Sequence, residues 1–527
     1  MFGRDRKRRR RLEAAFGKRP DVYFAAGDME RIRAWSDYRR EREDGYSVDD
    51  VTWHDLDMDR VFRRIDPGLS TPGEQVLYDT LRHPALTGEE YGRRARLIAF
   101  MQAEPAKRLE IQVILDALGR TRRSDLCAAF APEERGRGRL ALYTALAAAF
   151  AVSLVLGALG VMPIMAALLL MSLNITLREF ALRRVRREFD TLNYSVAEVF
   201  ALRRVQKLGI PDLDRELAGS YGALKRLRFV LRTGGVSGMD TGDAGDLLAS
   251  VFLLDIITYE YLRNKLWTCQ EDLMDVIEGL GRLDTAIAAA SWRESMDVYA
   301  VPDISFDGSA ELHVRGMVHP LLDAAVPNDL DLGGPILLTG SNASGKSTYL
   351  RTALLNALLA QSLCTAAAES YRGGAFYLYS SMALEDDLLA GESYYVTEIK
   401  SIRRILSAAQ VEKPVLCVVD EVLRGTNTAE RIAASSAILE TLFDAGVLCL
   451  AATHDLELCA LLGGKWRMCH FAETVGEGSM EFDYRLREGP ARSRNAIRLL
   501  GMMGFDAGLV AKAERRAKQY LETGAWE

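Results

Sequence analysis

No CxxC pair, no HExxH and no other metal-ligand spacing occurs among the seven cysteines and six histidines of this chain. The spacing excludes a zinc site and a disulfide framework, and it fits buried thiols in a reducing compartment. Net positive charge is missing as well: 73 acidic residues against 67 basic ones leave −6. No global field therefore recruits nucleic acid. The basic residues are clustered instead, first in Arg4, Arg6, Lys7 and Arg8 to Arg11. No apolar h-region follows them, so a signal peptide is not expected. A solvated tail, a contact with anionic lipid headgroups and a contact with nucleic acid all stay open for this run. What is present is the composition of a folded protein, 49% apolar and 27% charged over 527 residues. That length predicts about two to four domains.

One long stretch lacks charge altogether, the 38 positions from Leu140 to Leu177. As a single straight helix it would extend about 57 Å, against a hydrocarbon core of about 30 Å. Gly157, Gly160 and Pro163 mark where a turn costs least. A split there makes two spans of roughly 17–20 residues. Arg135, Arg137 and Arg139 precede the stretch, and Arg178, Arg183, Arg184, Arg186 and Arg187 follow it. With both flanks positive, both ends of the hairpin and both termini are expected on the cytoplasmic side of a membrane. The many alanines keep open the alternative of a buried helical hairpin in a soluble core.

On either side, apolar residues recur at helical spacing. In residues 49–139, Ser70-Thr-Pro-Gly73-Glu74 reads as a helix start, followed by Val76, Leu77, Leu81, Leu97 and Phe100. Trp53 and Phe62 are expected as core anchors. Residues 178–304 continue with Phe189, Leu192, Val196, Val199 and Leu202, then Leu247 to Leu262 and Leu273 to Leu283. Glycines from Gly234 to Gly245 mark a loop between these runs. Neither block carries a catalytic constellation.

Beyond about residue 305 the pattern becomes α/β. An apolar run, Pro335 to Leu338, reads as a buried strand and leads into Gly340-Ser341-Asn342-Ala343-Ser344-Gly345-Lys346-Ser347-Thr348. A helical run, Tyr349 to Leu363, follows. Strand, GxxxxGKS and helix in that order make a phosphate-binding loop: backbone N–H groups and a helix N-terminus cradle phosphate oxygens. Lys346 is expected to reach the β- and γ-phosphates and the Ser347 hydroxyl to ligate Mg²⁺. A second buried strand, Pro414 to Val419, ends in Asp420-Glu421. Here Asp420 would hold Mg²⁺ directly or through water, and Glu421 would orient or polarise the attacking water. A third, Val447 to Thr453, ends in His454, at the strand end where open parallel sheets bind ligands. His454 is expected to sense the γ-phosphate; the alternative is a satisfied core histidine.

These motifs carry a resemblance. In order along the chain stand Val318-His319-Pro320, Val326-Pro327-Asn328-Asp329, the Gly340 to Thr348 loop, and Asp386 to Ser393 with its Gly391-Glu392-Ser393. Asp420 to Thr428, Ala452-Thr453-His454-Asp455-Leu456-Glu457 and a closing helix, Ala511 to Glu522, follow. Residues 315 to 520 resemble the ATPase domain of MutS proteins, an ABC-type ATPase. Ser70 to Arg82 and Asp284 to Pro302 also resemble the ends of that family's helical core and lever.

The resemblance implies ATP with Mg²⁺ and a homodimeric site, in which Ser393 of the partner subunit meets the ATP held by the first. Arg424 to Thr428 would carry the signal across. It also implies that Asn328 binds the nucleotide. Two features depart from the family: no Phe-x-Glu mismatch-reading motif is found at the N-terminus, and Ala325 stands where members often carry an aromatic against adenine.

The expected architecture is an α/β P-loop (ABC-type) ATPase domain, residues 305–527. An all-α core and lever in two parts, 49–139 and 178–304, precedes it, interrupted by a two-span transmembrane hairpin, 140–177, and led by a basic segment, 1–48. The expected function is that of a membrane-anchored MutS-like ATPase, with an unknown protein partner, coupling dimer closure to a conformational change. An anchored DNA-binding repair factor and half of an ABC transporter are the alternatives.

Overall fold

A computed structural model describes residues 2–20, 22–25, 27–42, 45–121, 137–233, 242–340, 344–382, 394–424, 426–475, 480–491 and 503–523, with 497 and 500. They form two compact units. One is helical and takes Met1–Gly45, Ile65–Asp79 and Arg96–Glu294; the other is α/β and takes Tyr46–Arg64, Thr80–Ala95 and Ser295–Glu527.

The helical unit contains α1 (Phe2–Ala15), α2 (Asp28–Arg40), the first turns of α3 (Thr71–Arg82), α4 (Pro105–Leu118), α5 (Arg137–Ala158), α6 (Ile164–Arg184), α7 (Arg186–Gln206), α8 (Gly242–Val251), α9 (Leu254–Trp267) and α10 (Gln270–Glu294). Helix α10 is buried along nearly all of Leu283 to Arg293. Two glycines let α3 approach it. A Cβ on Gly73 would stand 1.9 Å from Asp284 Oδ2, and one on Gly281 would stand 2.2 Å from Val76. At that approach the Ser70 hydroxyl donates to Asp284 at 2.6 Å and accepts from the Gly73 N–H at 3.1 Å.

Charge is buried alongside. Glu74, fully enclosed, pairs with Arg31 and with Arg120, the latter at 2.8 Å. Burial, and secondarily the nearby Glu74, pushes Asp66 up to about 7. Burial likewise pushes Asp284 up to about 8, against the opposing pull of the Ser70 hydrogen bond.

The basic run is not a free tail. It forms α1, with Leu12 buried and Arg9 bonded to Glu110 of α4 at 2.5 and 2.8 Å. Arg8 and Arg11 both pair with Asp116, while Arg6, Lys7 and Arg10 stay exposed.

Helices α5 and α6 form the apolar hairpin, turning between Leu159 and Pro163 with Gly160 at φ 72°. Arg139–Ala158 and Ile164–Arg184 are long and apolar enough to cross a membrane, with mean hydropathy 2.1 and 1.5 and only 11% of each buried. Leu154, Val155, Leu159, Leu168 and Leu169 are exposed along it.

The α/β unit holds two sheets. The smaller orders β1 (Asp303–Ser305), β5 (Ser370–Gly374), β2 (Leu312–Met317) and β3 (Asn328–Leu332). The larger orders β10 (Met480–Glu488), β9 (Arg467–Val475), β4 (Ile336–Thr339), β8 (Leu448–Ala452), β7 (Val415–Asp420) and β6 (Tyr377–Ser381). Its strands run parallel except β10. Every residue of β4, β7 and β8 is buried, as expected for parallel strands covered on both faces. The covering helices are α11 (Lys346–Leu363), α12 (Tyr394–Val411) and α13 (Thr428–Asp444), and α14 (Ala507–Thr523) closes the series.

Strand β6 lies at the sheet edge, and side chains complete it. Tyr46 Oη donates to the Leu378 carbonyl and accepts its N–H, both at 2.7 Å. Thr52 accepts the Ser380 N–H at 3.1 Å, Arg404 takes the Ser380 carbonyl, and Asp55 accepts the Met382 N–H at 3.1 Å. An open edge is an aggregation template, and here it is closed by residues from an N-terminal segment whose periodicity reads only as helix. Trp53 and Phe62 are buried in that segment.

The raised carboxyls make stability depend on pH. Asp66 and Asp284 bind protons more tightly folded than unfolded, so their contribution is full below about 4 and is lost as pH rises toward 7 to 8. Each group limits the slope to ~1.4 kcal/mol per pH unit. In detergent micelles the midpoint of thermal unfolding should fall between pH 5 and 9, and Asp284→Asn should make that fall shallower. An equal slope in both proteins would show that Asp284 is already ionised.

Candidate nucleotide-binding site

Parallel strands with both faces covered leave polar chemistry to their ends. In the register of the large sheet Leu338 and Asp420 both face Ala452 of β8, so β4 and β7 finish on either side of one strand. Thr453 N–H donates to the Leu338 carbonyl at 2.9 Å, and Glu421 N–H to the Ala452 carbonyl at 3.0 Å. The phosphate loop, Asp420-Glu421 and His454 therefore leave the sheet at one end, where these parallel strands finish.

The loop begins at Gly340, φ 132°, where a Cβ would stand 3.2 Å from both the Phe471 carbonyl and Ser344 Oγ. It ends at Gly345, φ 99°, immediately before α11. Ser341, Asn342 and Ala343 lie outside the described residues, as does Ser393. Lys346, 2% exposed, bends back so that its ammonium donates to the Gly340 carbonyl at 2.7 Å. Ser347 and Thr348 occupy the first turn of α11, whose leading N–H groups have no intrahelical acceptor.

Glu421 stands in the left-handed region, φ 60°, as does Leu423. This strained turn aims the carboxylate across the strand ends. One oxygen accepts from His454 Nε2 at 2.6 Å and the other pairs with Arg424. Burial alone would raise this carboxyl; the His454 hydrogen bond and the charges of Arg424 and Lys346 outweigh it and hold it below the usual range. Glu421 is therefore ionised. Asp420 is buried at the end of β7.

Several positioning residues went unread in the sequence. Arg431 forks onto Asp455 at 2.8 and 2.6 Å, while the Asp455 N–H bonds Thr453 Oγ1 at 3.0 Å, which fixes the loop bearing His454. Glu398 accepts the Arg424 N–H at 3.2 Å; burial raises the Glu398 carboxyl.

Beside the loop lies a cavity of about 280 Å³, lined in part by Ala325, Val326, Asn328, Gly345, Thr348 and Tyr484. Asn328 donates to the Tyr484 carbonyl at 2.8 Å and accepts the Leu486 N–H at 2.9 Å. Its amide thus shapes the wall through the bulged stretch of β10, where Tyr484 has φ 53°. Tyr484 adds an aromatic side chain to the lining of this cavity, which small Ala325 also lines; only the distance of the two in sequence hid that.

Four of the described cysteines, Cys364, Cys417, Cys449 and Cys469, are buried, and none is in a disulfide. Among the described residues no cluster of His, Cys, Asp and Glu forms a metal site.

The fold and the loop define an α/β nucleotide-binding domain of the P-loop class. Residues 336–521 match MutS domain V, an ATPase fold. The DNA mismatch repair protein MutS of Thermus thermophilus is 34% identical over 207 residues, 38% of this chain and 25% of that protein. Its counterpart in Natronomonas pharaonis is 30% identical over 272 residues, 50% of this chain and 31% of that protein. For Caulobacter sp. the figures are 32% over 283 residues, 50% and 30%. The chain thus spans about a quarter to a third of the length of these relatives.

Since Arg424 helps hold Glu421 ionised, Arg424→Ala should move the acid limb of the ATP-turnover pH profile to higher pH. An unmoved limb would mean that the titrating group is not Glu421.

Proposed function

We propose that this chain is an ATP-hydrolysing, MutS-like protein anchored in a membrane by residues 140–177, in which ATP-driven closure of two ATPase domains drives a conformational change. The observation that carries the catalytic half is the Glu421 carboxylate, ionised between His454 and Arg424 at the same end of the sheet as the Gly340–Thr348 loop. The MutS domain V match supports it.

In this reading Lys346 exchanges the Gly340 carbonyl for phosphate oxygens, and the N-terminus of α11 binds them further. The base enters the cavity against Tyr484. Glu421 takes the proton of the attacking water, and His454 registers the γ-phosphate. The Ser347 hydroxyl and the Asp420 carboxylate are hard oxygen donors of the kind that suit Mg²⁺. Bound there, the ion would neutralise charge on the phosphate oxygens. Ser393 of the partner subunit would complete the site, so ATP favours the closed dimer only by binding it more tightly than the open one.

The anchor rests on two apolar helices, exposed along their length and flanked by arginines. Positive flanks on both ends put both termini and the ATPase domain on the cytoplasmic side. The relatives are DNA mismatch repair proteins, which favours one second reading, an anchored DNA-binding factor. Net charge of −6 gives that reading no electrostatic support.

Loss of a charge-assisted bond of about 1.5–3 kcal/mol should make Lys346→Ala bind ATP roughly tenfold or more weakly, measured by titration calorimetry. Glu421→Gln should retain binding while turnover drops by ~10²–10⁴, the range for a lost general base. Wild-type turnover in Glu421→Gln would remove that residue from the chemistry.

Deleting residues 140–177 should shift the protein from the membrane to the soluble fraction. Unchanged fractionation would leave the hairpin a packing element.

A further inference from the structure

The hairpin is not alone in exposing leucine. Leu247 and Leu248 of α8 and Leu254 at the start of α9 are 58%, 56% and 46% exposed. The two helices that carry them pack on the hairpin. Val251, the last residue of α8, is buried with Phe150 of α5 and Ala167 of α6. The rings of Phe150 and Phe252 meet edge to face at 5.2 Å.

The depth of this contact follows from helix rise. Phe150 is eleven residues beyond Arg139, about 16 Å along α5, and Asn174 is four residues short of Arg178, about 6 Å along α6. Val251 and Phe252 thus dock between about 6 and 16 Å from the arginine belt, between that belt and about the midplane of a ~30 Å core.

Two polar contacts suit that depth. The Asn174 side chain, fully buried, donates to the Val251 carbonyl at 2.9 Å. This closes a helix-end carbonyl that lipid could not satisfy. The chain then reverses at Leu253, φ 54°, and Asp255 meets Arg178 of the belt at 2.7 Å. Further along α9, Glu260 lies within electrostatic reach of Arg139. At ten residues α8 is too short to cross.

We infer that residues 247–254 are a third membrane-inserted element, a short re-entrant piece docked on the hairpin in the cytoplasmic half of the bilayer, with Leu247, Leu248 and Leu254 facing lipid acyl chains. The inference rests on the membrane reading of residues 140–177. It gives the anchor an apolar surface broader than two helices, continuous with the exposed flank of α6. Asn174 serves it as a positioning residue, holding the end of α8 against the spans.

The test uses the full-length protein in vesicles of phosphatidylethanolamine and phosphatidylglycerol with radiolabelled acyl chains. Photoreactive benzoyl-phenylalanine replaces one residue at a time: Leu247, Leu248, Leu169 within α6, or Val411, 86% exposed in the α/β unit. After illumination, lipid adducts at Leu247 and Leu248 should match those at Leu169 and exceed the Val411 background several-fold. Adducts at Leu169 with Leu247 and Leu248 at background would overturn this inference and leave the hairpin in the membrane. Background at all four positions would overturn both. Protein–protein adducts at Leu247 and Leu248 in place of lipid would assign the face to a second copy and also overturn it.

Discussion

A parallel strand covered on both faces offers the rest of the molecule only its ends. In this chain β4, β7 and β8 have no exposed residue, so the polar groups of the candidate site gather where they finish. Two backbone bonds, Thr453 to Leu338 and Glu421 to Ala452, hold those ends level. The strained φ of Glu421 is a local cost that this scaffold sustains, and it aims a carboxylate that a relaxed strand exit would turn elsewhere. His454, Arg424 and Lys346 then decide its charge. Shape and electrostatics at the site both follow from burial of the sheet.

The helical unit obeys a different constraint. One close approach in it depends on two missing side chains: the space at Gly73 is taken by the Asp284 carboxyl, which accepts from Ser70, and that at Gly281 by the Val76 side chain. Carboxyls kept protonated in an apolar surround act as hydrogen-bonding groups without the cost of an isolated buried charge. Glu74 takes the other solution and keeps two arginines beside it.

Much of the α/β unit was legible because its signals are local. Strand runs bounded by Gly340, by Asp420 and by His454 each carry both burial and polar side chains within a few residues, and the structure brings these three together at one end of the sheet. What escaped reading is non-local. Arg431 and Asp455 are 24 positions apart, and Asn328 reaches Tyr484 across 156. Periodicity could show that α1 was basic but not that Glu110 and Asp116 waited for three of its arginines. For the apolar stretch, length and the arginine flanks were readable. The docking of Val251 on Phe150 was not, because nothing in either segment alone marks the other.

The side chains that finish β6 carry a consequence for how the molecule assembles. Thr52 meets Ser380 across 328 positions and Tyr46 meets Leu378 across 332. Synthesised from the N-terminus, the segment that seals the sheet emerges long before the strand it seals, and most of the helical unit is made in between. The α/β unit is thus discontinuous along the chain, with contacts of very high sequence separation that must wait for loop closure. A fragment cut to begin at residue 305 would retain Lys346, Asp420, Glu421 and His454 yet lose Tyr46, Thr52 and Asp55 from the edge of β6, so the α/β unit is not a detachable module.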